Sequence, residues 1–93
     1  MPGVYTVTQM NSYIKNMFRQ DFVLSRISVK GEVSNCKYHT SGHIYFSLKD
    51  GQGVMSAIMF AGSAKNLEFR LENCMQVIVS GRIDVYERDG KYQ

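Results

Sequence analysis

Proline, cysteine and tryptophan are scarce in this sequence of 93 residues, which has one Pro, two Cys and no Trp. One proline beside an ordinary hydrophobic share of 44% argues against a disordered chain. No apolar run reaches the about 18 residues of a membrane span, and no basic start followed by an apolar run marks a signal peptide. The length allows one domain, residues 1–93. We therefore expect a single cytoplasmic domain that contacts no membrane.

The two cysteines form no CxxC pair, and no arrangement of nucleophile, histidine and acid is evident among the scattered acidic residues. Reduced thiols in a cytosolic protein are the favoured interpretation, and one disulfide between Cys36 and Cys74 is the alternative. The sequence therefore predicts no catalytic site within these residues.

Positive charge is concentrated in one segment. The net charge is +3, and residues 26–49 hold four basic residues and one acid, while the other seven basic and seven acidic residues cancel. This excess is either an electropositive surface for a polyanion or a chance cluster on a solvated face.

The N-terminal residues carry the signals of one amphipathic helix. Thr6 and Gln9 have the spacing of a capping box, and Tyr5 and Met10 that of a hydrophobic staple. Apolar residues then recur at three- and four-residue steps, which predicts a helix over about residues 7–19. We expect this stripe to contact the core: Val7, Met10, Tyr13, Ile14, Met17 and Phe18.

The pattern then changes to the period of strands. In a first strand, Ile27, Val29, Gly31 and Val33 share the inward side, and a polar stretch follows at residues 35–42. A second strand alternates between inward Ile44, Phe46 and Leu48 and outward His43, Tyr45, Ser47 and Lys49. "DGQG" at residues 50–53 predicts a hairpin turn in which Gly supplies a positive φ, and residues 54–60 form a third strand.

The remaining segments complete a recognisable order. "AGSAKNLEFRLEN" suits a short helix, a long strand from Met75 to Val85 has a bend at Gly81, and Asp89-Gly90 signals a type I′ hairpin. Three strands, a helix and a strand hairpin are the order of a mainly β, OB-fold-type five-stranded barrel. We expect a helical extension at residues 1–21 and the barrel at 22–93. The fifth strand is truncated after residues 91–93, which predicts a fragment of a longer chain.

Four residues have side chains that bind zinc: Cys36, His39, His43 and Cys74. Structural zinc sites usually place paired ligands on two tight turns, whereas Cys74 stands alone before a strand and His43 begins an alternating one. We therefore expect no metal ion and no other cofactor.

Proteins that bind single-stranded nucleic acid combine a positive groove for phosphates with flat side chains on which bases stack. The outward face of the predicted strands supplies both. In an OB barrel, the face of strands two and three, with the loop before strand two, is the usual binding surface. We expect Lys37, Tyr38 and His39 in that loop. Packing under a neighbouring element is the alternative for Tyr45 and Phe60. The predicted contact residues are Lys30, Lys37, Tyr38, His39, His43, Tyr45, Lys49 and Phe60.

A long motif carries a family resemblance. "GEVSNCKYHTSGHIYFSLKD", residues 31–50, resembles the N-terminal OB domain of the large subunit of bacterial exodeoxyribonuclease VII. "MF" at residues 59–60, "GRIDVYE" from Gly81, "YQ" at 92–93 and the leading "TVTQMNSYIK" also fit the family pattern. The sequence departs from it at Ala61, where many relatives have a basic residue, and Cys36 lies in the variable stretch of the motif.

The resemblance implies a role for the chain within a larger enzyme. Such enzymes hydrolyse single-stranded DNA from its ends to oligonucleotides, require no divalent metal and combine a large subunit with several small subunits. The resemblance implies that catalysis and the contacts with small subunits lie in a missing C-terminal region, while this domain grips single-stranded DNA. The alternatives are an RNA-binding OB module of anticodon-binding type and a structural domain that binds no nucleic acid.

Truncation of the fifth strand has a further consequence. Strands one and four are expected to expose unpaired edges, and such edges recruit partners. We therefore expect self-association or strand swapping.

Overall fold

The computed structural model describes residues 3–86 and 88–93. Within these residues the elements follow the predicted order with two differences: a second short helix follows the first, and the strand predicted from Met75 to Val85 is wrong, because it is divided into Gln76–Gly81 and Val85–Tyr86. They are α1 (Val7–Gln20), α2 (Phe22–Ser25), β1 (Ile27–Tyr38), β2 (Ile44–Lys49), β3 (Val54–Met59), α3 (Ala61–Ala64), β4 (Gln76–Gly81), β5 (Val85–Tyr86) and β6 (Lys91–Tyr92). No described helix combines the length and the apolar character that crossing a membrane requires.

Four strands form one sheet in the order β3-β2-β1-β4, and β5 pairs with β6 in a second, smaller sheet. The predicted mainly β, OB-fold-type architecture is confirmed, although the four-stranded sheet is not closed into a barrel. The prediction that strand one is an edge is wrong, because β1 has β2 on one side and β4 on the other. The outer strands of this sheet are β3 and β4.

The described residues form two compact units. One contains the N-terminal segment through Ser28 together with Ser80–Gln93, and the other is Val29–Val79. The second unit holds the main core, whose buried residues are Val33, Ile44, Phe46, Leu48 and Leu71. The inward side predicted for β2 is therefore confirmed. The division into an extension at residues 1–21 and a barrel at 22–93 stays a prediction.

Gly31 allows β1 to lie close to β2. A Cβ atom at this position would be 3.2 Å from the carbonyl oxygen of Lys49 and 3.3 Å from Cβ of Leu48. Both distances are shorter than ordinary van der Waals contact, so a side chain would push the two strands apart. A glycine inside a strand commonly marks such a close approach.

A β-bulge interrupts the regular alternation of β1. The register shifts between Ser34 and Lys37, so that Lys37 lies opposite Tyr45. In such a bulge two residues of one strand take the place of one. Asn35 has a φ of 50°, in the left-handed region that asparagine tolerates better than most residues. As a result, Cys36 packs against the core and Lys37 lies on the outward side.

The turn between β2 and β3 is a hairpin, as predicted, but a side chain holds it. Neither Gly51 nor Gly53 has a positive φ. Instead, Oδ1 of Asp50 accepts the N–H groups of Gln52 at 2.9 Å and Gly53 at 2.8 Å. These hydrogen bonds lower the pKa of the Asp50 carboxyl. The predicted mechanism, a positive φ at glycine, is therefore wrong for this turn.

The hairpin between β5 and β6 is present, but its turn is not type I′. Of Asp89 and Gly90, only Gly90 has a positive φ, 65°, whereas type I′ requires one at both positions. The physical reason is length, because four residues connect Tyr86 to Lys91. The N–H of Gly90 donates to the carbonyl of Tyr86 at 2.9 Å.

Helix α1 begins as predicted and is covered less than predicted. Oγ1 of Thr6 accepts the N–H of Gln9 at 3.0 Å, and Oε1 of Gln9 accepts the N–H of Thr6 at 2.9 Å, which completes the capping box. No residue of α1 is buried, and Val7 is 77% exposed. The predicted core contact of the stripe is wrong, because α1 packs on the short elements α2 and β5, and Phe18 contacts the ring of Tyr92 in β6.

Candidate nucleic-acid interface

A lysine and a tyrosine form a cross-strand pair on the outward side of the sheet. Lys37 of β1 lies opposite Tyr45 of β2, which lies opposite Ile58 of β3. Side chains directly opposite each other in antiparallel strands share a face, with Cβ atoms about 4.5–5.5 Å apart. Lys37 is exposed and Tyr45 is 41% exposed. The pair therefore presents a cation and an aromatic ring to solvent on one surface.

Two imidazoles flank Tyr45 edge-on. The ring centroid of His39 is 6.0 Å from that of Tyr45, the centroid of His43 is 6.5 Å away, and both interplanar angles are 78°. His43 also meets Phe60 at 5.4 Å and 88°. We call these four residues (His39, His43, Tyr45 and Phe60) the ring cluster. Phe60 is 58% exposed, so its ring is not covered by a neighbouring element.

A tight turn positions the two histidines. The N–H of His39 donates to the carbonyl of His43, and the N–H of Gly42 donates to the carbonyl of His39, each at 2.9 Å. Nδ1 of His39 accepts the N–H of Ser41 at 3.1 Å. Gly42 has a φ of 95°, and a Cβ atom there would lie 3.0 Å from Cβ of Ala61. Both the positive φ and the short distance show that this turn requires glycine.

His43 links β2 to the start of α3. Its half-buried ring accepts the N–H of Ala61 at Nδ1, at 2.9 Å. An imidazole nitrogen that accepts a hydrogen bond carries no proton, so the neutral ring holds its proton on Nε2. Phe60 is the N-cap residue of α3 and makes no side-chain capping bond. The histidine therefore fixes the backbone beside Phe60 as well as contributing a ring to the surface.

Two further lysines lie on the outward side of the sheet. Lys49 lies opposite Glu32, and its Nζ is 3.6 Å from Oε2 of Glu32. Gln76 donates to the other oxygen of Glu32 at 3.4 Å. Such partly exposed ion pairs are worth at most about 1 kcal/mol, so a phosphate can compete for Lys49. Lys30 is exposed and precedes Glu32 by two residues in β1.

Tyr38 stands apart from the ring cluster. β1 continues through Tyr38, so Lys37 and Tyr38 lie in a strand, and their predicted location in the loop is wrong because the bulge maintains pairing. Tyr38 lies opposite Ile44, on the core side, and its hydroxyl donates to the carbonyl of Leu71 at 2.8 Å. The guanidinium of Arg70 lies 4.3 Å from the centroid of its ring. A base could therefore reach this face of Tyr38 only by displacing Arg70.

Arg70 is a charged residue beside the predicted contact residue Tyr38 that the sequence did not indicate. It lies far along the chain from Tyr38, in a segment without regular secondary structure. Its Nε is also 4.0 Å from Oε1 of Glu72. No local pattern in the sequence signals a cation stacked on a ring so distant in the chain.

The cysteines and histidines do not assemble a metal site. Cys36 and Cys74 are free thiols, and Cys36 donates its backbone N–H to Oδ1 of Asn73 at 2.9 Å. Burial raises the pKa of the Cys36 thiol. Within residues 3–86 and 88–93, no group of three or more His, Cys, Asp or Glu side chains could hold a metal ion.

Comparisons with known proteins agree on the kind of domain. A family model described as an OB-fold nucleic acid binding domain matches residues 5–93. The Exodeoxyribonuclease 7 large subunit of Lachnoclostridium phytofermentans is 67% identical over 93 residues, which are all of this chain and 23% of that relative. The protein of the same name from Clostridium botulinum strain Loch Maree is 54% identical over 88 residues, 95% of this chain and 22% of the relative.

A third relative extends the same picture. The Exodeoxyribonuclease 7 large subunit of Ruminiclostridium cellulolyticum is 48% identical over 93 residues, 100% of this chain and 23% of the relative. The chain thus spans less than a quarter of the length of the curated relatives it matches.

Proposed function

Because this chain belongs to the family of OB-fold nucleic acid binding domains, we propose that it binds single-stranded DNA on the outward side of β1 and β2. Bases stack on exposed rings of the ring cluster, and the phosphates lie near Lys30, Lys37 and Lys49. In this proposal the domain serves the large subunit of an exodeoxyribonuclease VII, an enzyme that hydrolyses single-stranded DNA from its ends. Catalysis and the contacts with small subunits belong to other parts of that protein.

The observation that carries this proposal is the Lys37–Tyr45 pair with its flanking imidazoles. Tyr45 is held edge-on by His39 and His43, so the ring is fixed in position before a base arrives. Lys37 lies on the same face directly across the strands. A positioned ring beside a cation is what single-stranded nucleic acid recognition requires, since stacking is worth about 1–3 kcal/mol per base.

A fluorescence-anisotropy titration with labelled single-stranded DNA tests the proposal. Each neutralised phosphate contributes a slope of about −0.7 to the plot of log K against log salt, so a few lysine contacts give weak, salt-sensitive binding. We expect binding at low salt that declines as salt increases. Absence of binding at low salt, or binding indifferent to salt, would contradict the proposal.

A double variant and a matched control localise the interface. Lys37→Ala/Tyr45→Ala removes the cross-strand pair, and we expect at least a tenfold loss of affinity, which corresponds to about 1.4 kcal/mol. Lys91→Ala/Tyr86→Ala is the control, because Lys91 and Tyr86 are likewise opposite each other, in β6 and β5. Tyr86 is 45% exposed and thus comparable with Tyr45. Equal losses from the two double variants would argue against an interface at Tyr45.

Two competition experiments address the alternatives. Matched DNA and RNA oligonucleotides compared on one preparation decide whether the domain prefers DNA, and preference for RNA would overturn that part of the proposal. In the full-length large subunit with its small subunits, we expect Lys37→Ala/Tyr45→Ala to weaken retention of DNA and leave assembly intact. If only assembly suffers, the domain has a structural role.

A further inference from the structure

An open groove of about 610 Å³ lies within the unit formed by the N-terminal segment and Ser80–Gln93. It runs between the residues that begin β1 and those that end β4, and the strand predicted to continue past Gly81 stops here. Two arginines and several hydroxyls line it, and no acidic residue is among the described residues that do. The residues that matter are Arg26, Arg82, Ser25, Ser28, Ser80 and Gly81.

The two arginines of the groove carry uncompensated charge. Neither Arg26 nor Arg82 forms an ion pair with a residue that the structure describes. The acids nearest to them in sequence are already engaged. Asp84 lies 3.6 Å from Nε of Arg19 and accepts a backbone N–H at 2.9 Å. Oδ1 of Asp21 accepts two N–H groups of α2. Two guanidinium groups therefore line the groove, and no carboxylate among the described residues pairs with them.

The serines add one available hydrogen-bond donor. Oγ of Ser28 and Oγ of Ser80 are 2.8 Å apart, so one hydroxyl donates to the other and the second keeps its hydrogen for a ligand. The hydroxyl of Ser25 lies 2.7 Å from the carbonyl of Asp21 and donates within the backbone turn. A Cβ atom at Gly81 would meet nothing within 4 Å, so a ligand can approach the strand end there.

From this arrangement we infer that the groove binds a phosphate group of the nucleic-acid strand. A planar guanidinium group can donate two parallel hydrogen bonds to a pair of phosphate oxygens, and a hydroxyl donor satisfies a further oxygen. The inference rests on the proposed function for its ligand, and it adds a phosphate contact within the unit formed by the N-terminal segment and Ser80–Gln93. Arg26 precedes Lys30 by four residues, so the basic side chains continue along the chain into β1.

Removal of the two arginines tests the inference against a variant of equal charge. Arg26→Ala/Arg82→Ala is compared with Arg88→Ala/Lys91→Ala, which removes the same charge from exposed residues outside the groove. For the groove variant we expect about tenfold weaker binding of single-stranded DNA. The slope of log K against log salt should be shallower by about 0.7 for each lost phosphate contact. We expect the control to retain the wild-type slope.

Arg26→Lys/Arg82→Lys separates charge from geometry. It keeps both charges and loses the paired donors, so we expect affinity between that of the wild type and that of the alanine variant. Equal slopes for groove variant and control, with the wild type binding DNA, would overturn the groove and leave the proposed function standing. A wild type that binds no DNA overturns both.

Amide shifts in NMR spectra identify the source of the phosphate. Single-stranded DNA at micromolar concentration is expected to shift the amides of Ser28, Ser80 and Arg82, whereas inorganic phosphate is expected to shift them only at millimolar concentration. Shifts of these amides with inorganic phosphate and none with DNA would contradict a strand contact.

Discussion

Nδ1 of His43 accepts a backbone hydrogen bond, and the ring of His43 contacts the rings of Tyr45 and Phe60. The Nδ1 bond to Ala61 ties β2 to α3, and the contact with Phe60 places the same ring on the surface. We therefore expect a substitution at this position to change both the stability of the domain and the proposed binding of DNA. The two effects can be separated because the backbone bond needs only an acceptor.

We predict that His43→Leu costs about 1–3 kcal/mol of unfolding free energy, because it leaves the part-buried N–H of Ala61 without an acceptor. His43→Asn places an amide oxygen near the position of Nδ1 and should recover more than half of the loss. Urea denaturation followed by circular dichroism measures both. Equal destabilisation by Leu and Asn would show that the hydrogen bond is not the cause.

Asp50 makes the β2–β3 turn sensitive to acid. The N–H groups of Gln52 and Gly53 lower its pKa from the ordinary 3.8, so the carboxylate stabilises the fold above that value. This contribution is lost as the pH falls through the lower, folded pKa. We predict that Asp50→Asn keeps an acceptor oxygen but removes the pH-dependent stability that the carboxylate contributes. The difference in urea midpoint between wild type and variant should shrink as the pH falls below 3.8, the ordinary pKa of the carboxyl.

At the scale of elements, the turn between β1 and β2 depends on Gly42. Its φ of 95° and the 3.0 Å distance from an added Cβ atom to Ala61 both oppose a side chain. We predict that Gly42→Ala destabilises the domain by about 1–3 kcal/mol and weakens DNA binding, because His39 and His43 flank this turn.

Gly62→Ala is the matched control for that substitution. Gly62 lies in α3, and a Cβ atom there meets nothing within 4 Å. Alanine in a helix is favoured over glycine by about 0.5–1 kcal/mol, so we expect a neutral or stabilising effect. Thermal unfolding measures both variants. A loss at Gly62 as large as that at Gly42 would contradict a specific requirement in the turn.

The sequence predicted the features that depend on residues close together in the chain, and it missed those that depend on distant residues. The capping box and the alternation of β2 depend on neighbours a few residues apart, and the sequence predicted both. The bulge at Asn35 depends on competition between two pairing registers across β1 and β2, which one strand does not reveal. Arg70 reaches Tyr38 only through the tertiary fold. The sequence therefore predicted which rings are on the outward side of β2 and misplaced Tyr38.

At the scale of the whole molecule, the sheet order leaves β3 and β4 as its outer strands. The sequence assigned an edge to strand one instead, because that prediction rested on an expected truncation of the fifth strand and not on the neighbours of β1. The apolar stripe of α1 was misjudged for a related reason. Periodicity shows that a helix has an apolar face, and it does not show what covers that face.

Outer strands offer unpaired backbone groups to a second chain, and we predict concentration-dependent self-association of this domain. Ile78 of β4 is 71% exposed, so Ile78→Lys adds charge to this strand without opening the core. Light scattering coupled to size exclusion should show dimer for the wild type at high concentration and less for the variant. A wild type that stays monomeric at every concentration would contradict the prediction.

The bulge of β1 changes which side chains of this strand lie on the outward side of the sheet. Without the extra residue, strict alternation along β1 would place Cys36 opposite Tyr45 and direct Lys37 toward the core. The positive φ of Asn35 accommodates the extra residue, so that Lys37 and not Cys36 lies opposite Tyr45. A β-branched side chain disfavours that angle, so we predict that Asn35→Val shifts the register of β1. Faster alkylation of Cys36 would then show that its thiol lies on the outward side. One dihedral angle thus decides whether a thiol or an ammonium group lies opposite Tyr45 on the outward side of the sheet.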